Sequence, residues 1–84
     1  MPNVPDPDYR ALGVEIARLR HARGWSIERL AEAAGLGRRS IINLEGAHHE
    51  PRIATLWAIA HGLDVQLSEL IKTLGPSKGG HPLR

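Results

Sequence analysis

Apolar residues along this 84-residue chain recur at helical spacing in five separate blocks. Leu12, Ile16 and Leu19 stand at i, i+4 and i+7, which predicts a first helix that stops at Gly24, a residue suited to a left-handed C-terminal position. Ser26 can cap a second helix, with Leu30, Ala31 and Ala34 inward and Gly35 closing it. A third segment, Arg38 to Glu45, begins after only two linking residues and ends at Gly46. Beyond the polar loop Ala47-His48-His49-Glu50-Pro51, the spacing of Ile53, Leu56, Ile59, Ala60 and Leu63 marks a fourth helix. Leu67, Leu70, Ile71 and Leu74 mark a fifth, ended by Gly75-Pro76. Nowhere do apolar and polar residues alternate over five or more positions, so no strand is predicted. The expected fold is all-α, five short helices in one compact bundle.

Both ends lack the pattern. Met1 to Pro7 holds three prolines, and Gly75 to Arg84 (GPSKGGHPLR) is too rich in glycine and proline to form a core. The expected organisation is a flexible segment 1–7, one domain over 8–74 and a disordered tail 75–84. A chain of this length buries only about 60 to 65% of its unfolded surface, so each apolar position matters. It has no cysteine, which removes disulfides and thiolate metal sites. No apolar run approaches the roughly 18 residues that span a bilayer. The acidic, proline-rich start is the reverse of a signal peptide, so a cytoplasmic protein without membrane partners is expected.

A net charge of +2 says little, but its distribution says more. Residues 10 to 39 hold seven arginines against Glu15, Glu28 and Glu32, a local charge of +4. Such a half-domain could attract phosphate. Arginines on solvated helix faces are equally common, and charge alone does not choose between the two.

The linker Gly35-Leu36-Gly37 adds the missing geometry. Gly35 admits a positive φ, Leu36 can pin the corner, and the next helix then leaves at a steep angle, as in a helix-turn-helix. At 100° per residue, Ile41 and Leu44 of the third segment point toward the core. Arg39, Ile42 and Asn43 point away, with Arg38 and Ser40 on the flanks. Arginine can pair with both acceptors of guanine and asparagine with adenine, so this outward face carries what major-groove readout requires. An arginine pair on a surface helix is more often merely solvated. Placed after such a turn, it reads as a recognition element.

These residues also carry a family resemblance. Over residues 12 to 71, without a gap, the chain resembles the phage-repressor/Cro-type (XRE-like) helix-turn-helix family. The likeness is distributed over Leu19-Arg20, Arg23-Gly24, Leu30-Ala31, Gly35, Ile41, Glu45, Pro51 and Leu56. It implies a repressor-like DNA-binding domain of bacterial or phage origin, dimeric on a near-palindromic operator. Carried over by position, base reading falls on Arg38, Arg39 and Asn43, with Ser40 a backbone or thymine contact. The loop after the third helix, through Arg52 and the His48-His49 pair, would touch phosphates. The resemblance also pairs Arg20 with Glu45 as a structural bridge from the first helix to the end of the recognition helix.

Several positions depart from the family pattern. Ile27 stands where the family often has a phosphate-clamping glutamine, and Ile42 stands where it favours a polar residue. Both are expected to rest on sugars or on thymine methyl groups. Arg29 replaces the acid that would complete a capping box with Ser26. Gly37 replaces a serine or threonine cap. In Gly46-Ala47, glycine comes one residue earlier than usual.

The remaining conspicuous residues have plain readings. The five histidines lack metal-ligand spacing, so no metal is expected. Trp25 is expected in the core. Trp57 either packs under the fifth helix or lies at a subunit interface. No nucleophile motif, phosphate loop or cofactor signature is present, so neither an enzyme nor a cofactor is expected. Two functions stay open. The first is a sequence-specific DNA-binding regulator, a repressor or autoregulator, paired as a homodimer through Trp57, Leu67, Ile71 and Leu74. The second is an antitoxin-type module that binds a toxin through Trp57 and the glycine-rich tail, with DNA secondary.

Overall fold

In the computed structural model, which describes residues 4–76, the chain forms α1 (Tyr9–Ala22), α2 (Ile27–Ala34), α3 (Arg38–Glu45), α4 (Ile53–Leu63) and α5 (Leu67–Ile71). Local chemistry sets most of these limits. Asp8 opens α1, its Oδ1 accepting from the Ala11 amide at 2.9 Å. Ser26 opens α2, its Oγ accepting from the Arg29 amide at 3.0 Å, so half of a capping box forms without its acid. Gly37 opens α3 with no side-chain cap.

The first four helices all end in the same way. A left-handed residue closes each of them, either the C-cap itself (α2, α4) or the residue after it (α1, α3), and two amides fold back onto the last carbonyls. After α2, for example, Gly35 (φ 69°) donates to Glu32 and Leu36 donates to Ala31. The left-handed residue is Gly24 after α1, Gly35 after α2, Ala47 after α3 and Asp64 after α4. Thus the early Gly46 does not take the strained position, which falls on Ala47 at φ 55°. Aspartate visits that region readily, whereas alanine occupies it at a cost.

Leu12, Ile16, Leu30, Ile41, Leu56, Ile59, Leu63 and Leu70 are fully buried and form the core. Each contributes about 1.5 to 3 kcal/mol by leaving water. α2 packs on α4, and α1 packs on α3. Gly13 makes the second contact close: a Cβ there would lie 2.6 Å from the carbonyl oxygens of both Leu44 and Glu45. α3 is therefore held against α1 backbone to backbone.

Three expectations need correction. Ile53 is in phase with the buried stripe of α4 but is 65% exposed, because it is the helix's first residue and no element among the described residues covers it. α5 ends at Ile71 with Lys72 as its cap, so Leu74 lies beyond the helix, half-buried against the core. Trp57 does not pack under α5, being 63% exposed. The boundaries expected at 7/8 and 74/75 meet each other: the Asp8 amide donates to the Gly75 carbonyl at 2.8 Å, and Pro7 and Pro76 form an antiparallel bridge. Most of the expected flexible start and tail, residues 1–3 and 77–84, lies outside the described residues. No helix among the described residues is long and apolar enough to cross a membrane.

Candidate nucleic-acid interface

α3 presents two unlike faces. Ile41 and Leu44 are buried, and Glu45 beside them is locked to α1. Arg20 donates from Nε to Glu45 Oε2 at 2.7 Å and from Nη2 to Oε1 at 3.0 Å, and its Nη1 reaches the Trp25 carbonyl at 2.8 Å. The hydrogen bond to Glu45 raises the Arg20 guanidinium above its ordinary pKa against the cost of burial. The pair expected to be structural is so placed. It ties the back of α3 to the rest of the domain.

The other face looks outward. Arg38 and Arg39 are exposed, while Ser40, Ile42 and Asn43 are half-exposed along the same helix. Arg38 donates from Nε to Glu28 Oε2, in the first turn of α2, at 2.6 Å. Among the described residues, the Arg39 side chain makes neither a hydrogen bond nor an ion pair. The Asn43 Oδ1 lies 3.3 Å from Nδ1 of His48, which is exposed in the following loop. That loop is set by the backbone: the His48 amide donates to the Asn43 carbonyl, and the ring lies over Gly46, where a Cβ would come within 2.7 Å of Nε2.

Arg52 precedes α4 with its side chain exposed and lines one shallow groove with Ser40, Asn43 and His49. The structure thus brings Ser40, Asn43 and Arg52 to one groove, with Arg38 and Arg39 exposed on the same helix as Ser40 and Asn43. Ile42 lies on α3 among them. Ile27 is different, half-buried at the start of α2 and packed against the core. A second groove joins His48, His49 and Glu50 to Asp6, Tyr9 and Arg10. There, burial first and then Glu50 and Asp6 push the Tyr9 hydroxyl above its ordinary pKa.

The basic half of the sequence is largely spent on structure. Arg18 pairs with Glu15, Arg20 with Glu45, and Arg29 with Glu32. Arg23 donates to the Leu63 carbonyl. Arg29 and Arg23 also lie 4.6 and 5.7 Å from the Trp25 ring centroid. Trp25 is accordingly half-buried rather than enclosed, with these cations over a ring that also packs against the core. Among the described residues, Arg10, Arg39 and Arg52 have no such engagement. Glu28 is the site residue the sequence did not single out. Its tie to Arg38 runs ten positions along the chain and is visible only once the turn brings the two helix starts together.

Toward the C-terminus, Trp57 borders a groove of about 310 Å³ with Ala60, His61, Val65 and Leu67. Leu67, Ile71 and Leu74, expected beside Trp57 on an outer face, are half-buried and packed against the core. Only part of each remains for a partner.

A family model described as Helix-turn-helix (HTH_3) matches residues 16–70. Over 62 residues the chain is 44% identical to the HTH-type transcriptional regulator SutR of Escherichia coli K12. That match covers 74% of this chain and 35% of SutR, so the chain spans about a third of this curated relative. The restriction-modification controller protein C.AhdI from Aeromonas hydrophila superposes with a TM-score of 0.71 at 29% identity, covering 74% of this chain and 94% of C.AhdI. SinR, the master regulator for biofilm formation, solved in complex with DNA, superposes with a TM-score of 0.66 at 30% identity, covering 70% and 95%. The N-terminal DNA binding domain of SinR from Bacillus subtilis gives 0.68 at 29% identity, covering 73% and 90%.

Proposed function

Since the chain belongs to the helix-turn-helix family, with the phage-repressor/Cro-type pattern, we propose that it is a sequence-specific DNA-binding transcriptional regulator, cytoplasmic and non-enzymatic, that reads the major groove with α3. One observation carries this reading. The back of α3 is fixed through Ile41, Leu44 and the Arg20–Glu45 bridge, while its front offers Arg38, Arg39 and Asn43 to solvent. A rigidly held helix with an outward donor set is what base-edge readout needs.

In this reading Arg38 and Arg39 take guanine edges, and Asn43 takes adenine. Ser40 meets the backbone or a thymine. Ile42, with the exposed part of Ile27, rests on sugars or thymine methyls. Arg52 and the His48-His49 pair meet phosphates. One recognition helix covers only about four or five base pairs, and a two-fold dimer with helices roughly 34 Å apart would double that on a near-palindromic operator. Trp57 and its groove, with the exposed parts of Leu67, Ile71 and Leu74, are the proposed contact. None of the relatives reported above is named as a toxin partner, and no observation favours that alternative.

Selection of bound sequences from a random duplex pool tests the reading. Arg39→Ala and Asn43→Ala should each lose about 1 to 3 kcal/mol of discrimination on the selected site, with helical content intact. Wild-type-like operator binding by both variants would overturn the assignment of α3. Sedimentation with the selected palindrome tests the dimer, and one protein per duplex at saturation would overturn it.

A further inference from the structure

An acid on the DNA-facing side of a DNA-binding domain needs a reason, because it repels phosphates. Glu28 is such a residue. It sits in the first turn of α2, its side chain 63% exposed, and its partner is the first residue of α3. The contact uses Arg38 Nε, 2.6 Å from Glu28 Oε2. A guanidinium carries one hydrogen on Nε and four on its two terminal nitrogens. Holding Nε therefore leaves Nη1 and Nη2 to project together, and among the described residues neither has a partner. Two parallel donors are what the O6 and N7 acceptors of guanine require.

We propose that Glu28 is a specificity-determining, positioning residue: it anchors Arg38 by Nε so that the terminal nitrogens face a guanine edge. Arg39 has no such anchor, so the two neighbouring arginines differ in kind. Arg38 is a pre-set reader of one base pair, whereas Arg39 reaches its base without a protein group holding it in place. Glu28 touches no base itself. Its cost is general repulsion of DNA, and its return is discrimination at one position. Arg20 is the other cation acting on the Glu28 carboxylate, and it is already committed to Glu45. Arg38 is thus the partner through which Glu28 acts.

The inference rests on the DNA-reading role proposed above, and its test separates the two. Full-length wild type, Glu28→Gln, Arg38→Ala and the double variant are titrated onto the duplex selected by wild type. The same four proteins are titrated onto the three single-base-pair replacements at each position, and onto an unrelated duplex. Arg38→Ala should lose preference for guanine at one position. Glu28→Gln should lose about 3- to 10-fold of discrimination at that same position, part of what a bidentate contact supplies. It should also bind the unrelated duplex a few-fold more tightly, because a repulsive charge is gone. The double variant should discriminate no worse than Arg38→Ala, since Glu28 acts only through that arginine. A rise in unrelated-duplex affinity with unchanged discrimination would make Glu28 a plain repulsive charge and overturn the proposal. So would additive losses in the double variant. If wild type enriches no sequence from the pool, the DNA-reading role fails as well, an outcome distinct from either of these.

Discussion

Two arginine–glutamate pairs sit at opposite ends of α3, and they do opposite things. Arg20–Glu45 is bidentate at 2.7 and 3.0 Å, and the third guanidinium nitrogen of Arg20 is taken by the Trp25 carbonyl. Arg20 is 8% exposed. Arg38–Glu28 has the shorter single contact, 2.6 Å, with both side chains more than half exposed. Ranked by distance, the exposed pair would appear the stronger. Surroundings reverse that order, because water and salt screen the outer pair while the inner one faces a poorly polarisable interior. Every guanidinium nitrogen of the inner pair is engaged, and the pair fixes geometry. The outer pair has its terminal nitrogens left over and is available for a ligand.

The largest effect should come from breaking the inner pair. Arg20→Ala leaves Glu45 without its counter-charge and the Trp25 carbonyl without its donor, at a cost of about 3 kcal/mol. For a domain this small that is a fall in Tm of more than about 10 °C, read by thermal denaturation followed by circular dichroism. Arg20→Lys should recover little, since an ammonium cannot make the two-pronged contact and reach Trp25 as well. If Arg20→Ala costs less than about 1 kcal/mol, the contrast between the pairs is one of appearance only.

Gly13→Ala attacks the same side of α3 without touching a charge. The new methyl would meet two backbone carbonyls, which cannot rotate away, so α3 must shift from α1. Overpacking of this kind costs about 1 to 3 kcal/mol, and operator affinity should fall in parallel because the reading helix moves. Urea midpoints and Kd measured on the same samples would test the link. Lost stability with unchanged operator binding would show that the two faces of α3 are not coupled.

A gain is expected at the end of that helix. Ala47 occupies the left-handed position that Gly24 and Gly35 fill after α1 and α2, and the penalty for a Cβ there is about 1 kcal/mol. Ala47→Gly should therefore raise stability by about that amount in urea titration. The His48 ring lies just beyond, against Asn43, so discrimination at the Asn43 base pair is the second readout. A destabilised Ala47→Gly would mean that the stiffness of alanine, rather than relief of strain, governs this loop.

Much of the framework was legible because its signals are local. Ser26, Gly24 and Gly35 mark helix ends through their own side chains or φ angles, and the spacing of Leu12, Ile16, Leu56, Ile59 and Leu63 finds the core. The wheel placed Ile41 and Leu44 inward and Arg39 outward on the same grounds. What failed depends on neighbours distant in sequence. Ile53 has the right phase but nothing opposite it among the described residues, and periodicity does not report the end of a groove. Charge counting suggested a basic face, yet five of the seven arginines in residues 10 to 39 are engaged, Arg20, Arg23 and Arg38 by groups of other helices and Arg18 and Arg29 by carboxylates of their own. The left-handed turn fell on Ala47 rather than Gly46 because the length of α3, and not the nearest glycine, decides which residue follows the cap. Glu28 was invisible for the same reason as Ile53, since its meaning comes from a residue across the turn.

The smallest effect expected is an absence of change with pH at the outer pair. The hydrogen bond from Arg38, and next the amide of Glu28 itself, hold the Glu28 carboxyl below its ordinary value of 4.5, with Arg38 and Arg20 adding attraction. A carboxyl lowered in the folded state contributes its bond above the ordinary value and loses it only as pH falls through the lowered one. Discrimination at the Arg38 base pair should therefore stay level from pH 7.5 down to pH 5. The ratio of Kd values on the selected site and its guanine replacement, measured at several pH values, is the quantity to follow. A ratio that drops between pH 7 and 5 would mean that Glu28 is not the group that positions Arg38. Loss of the outer pair should also leave the urea midpoint unmoved, since exposed ion pairs add little to folding. Removal of the inner pair should move the midpoint at every pH in the same window.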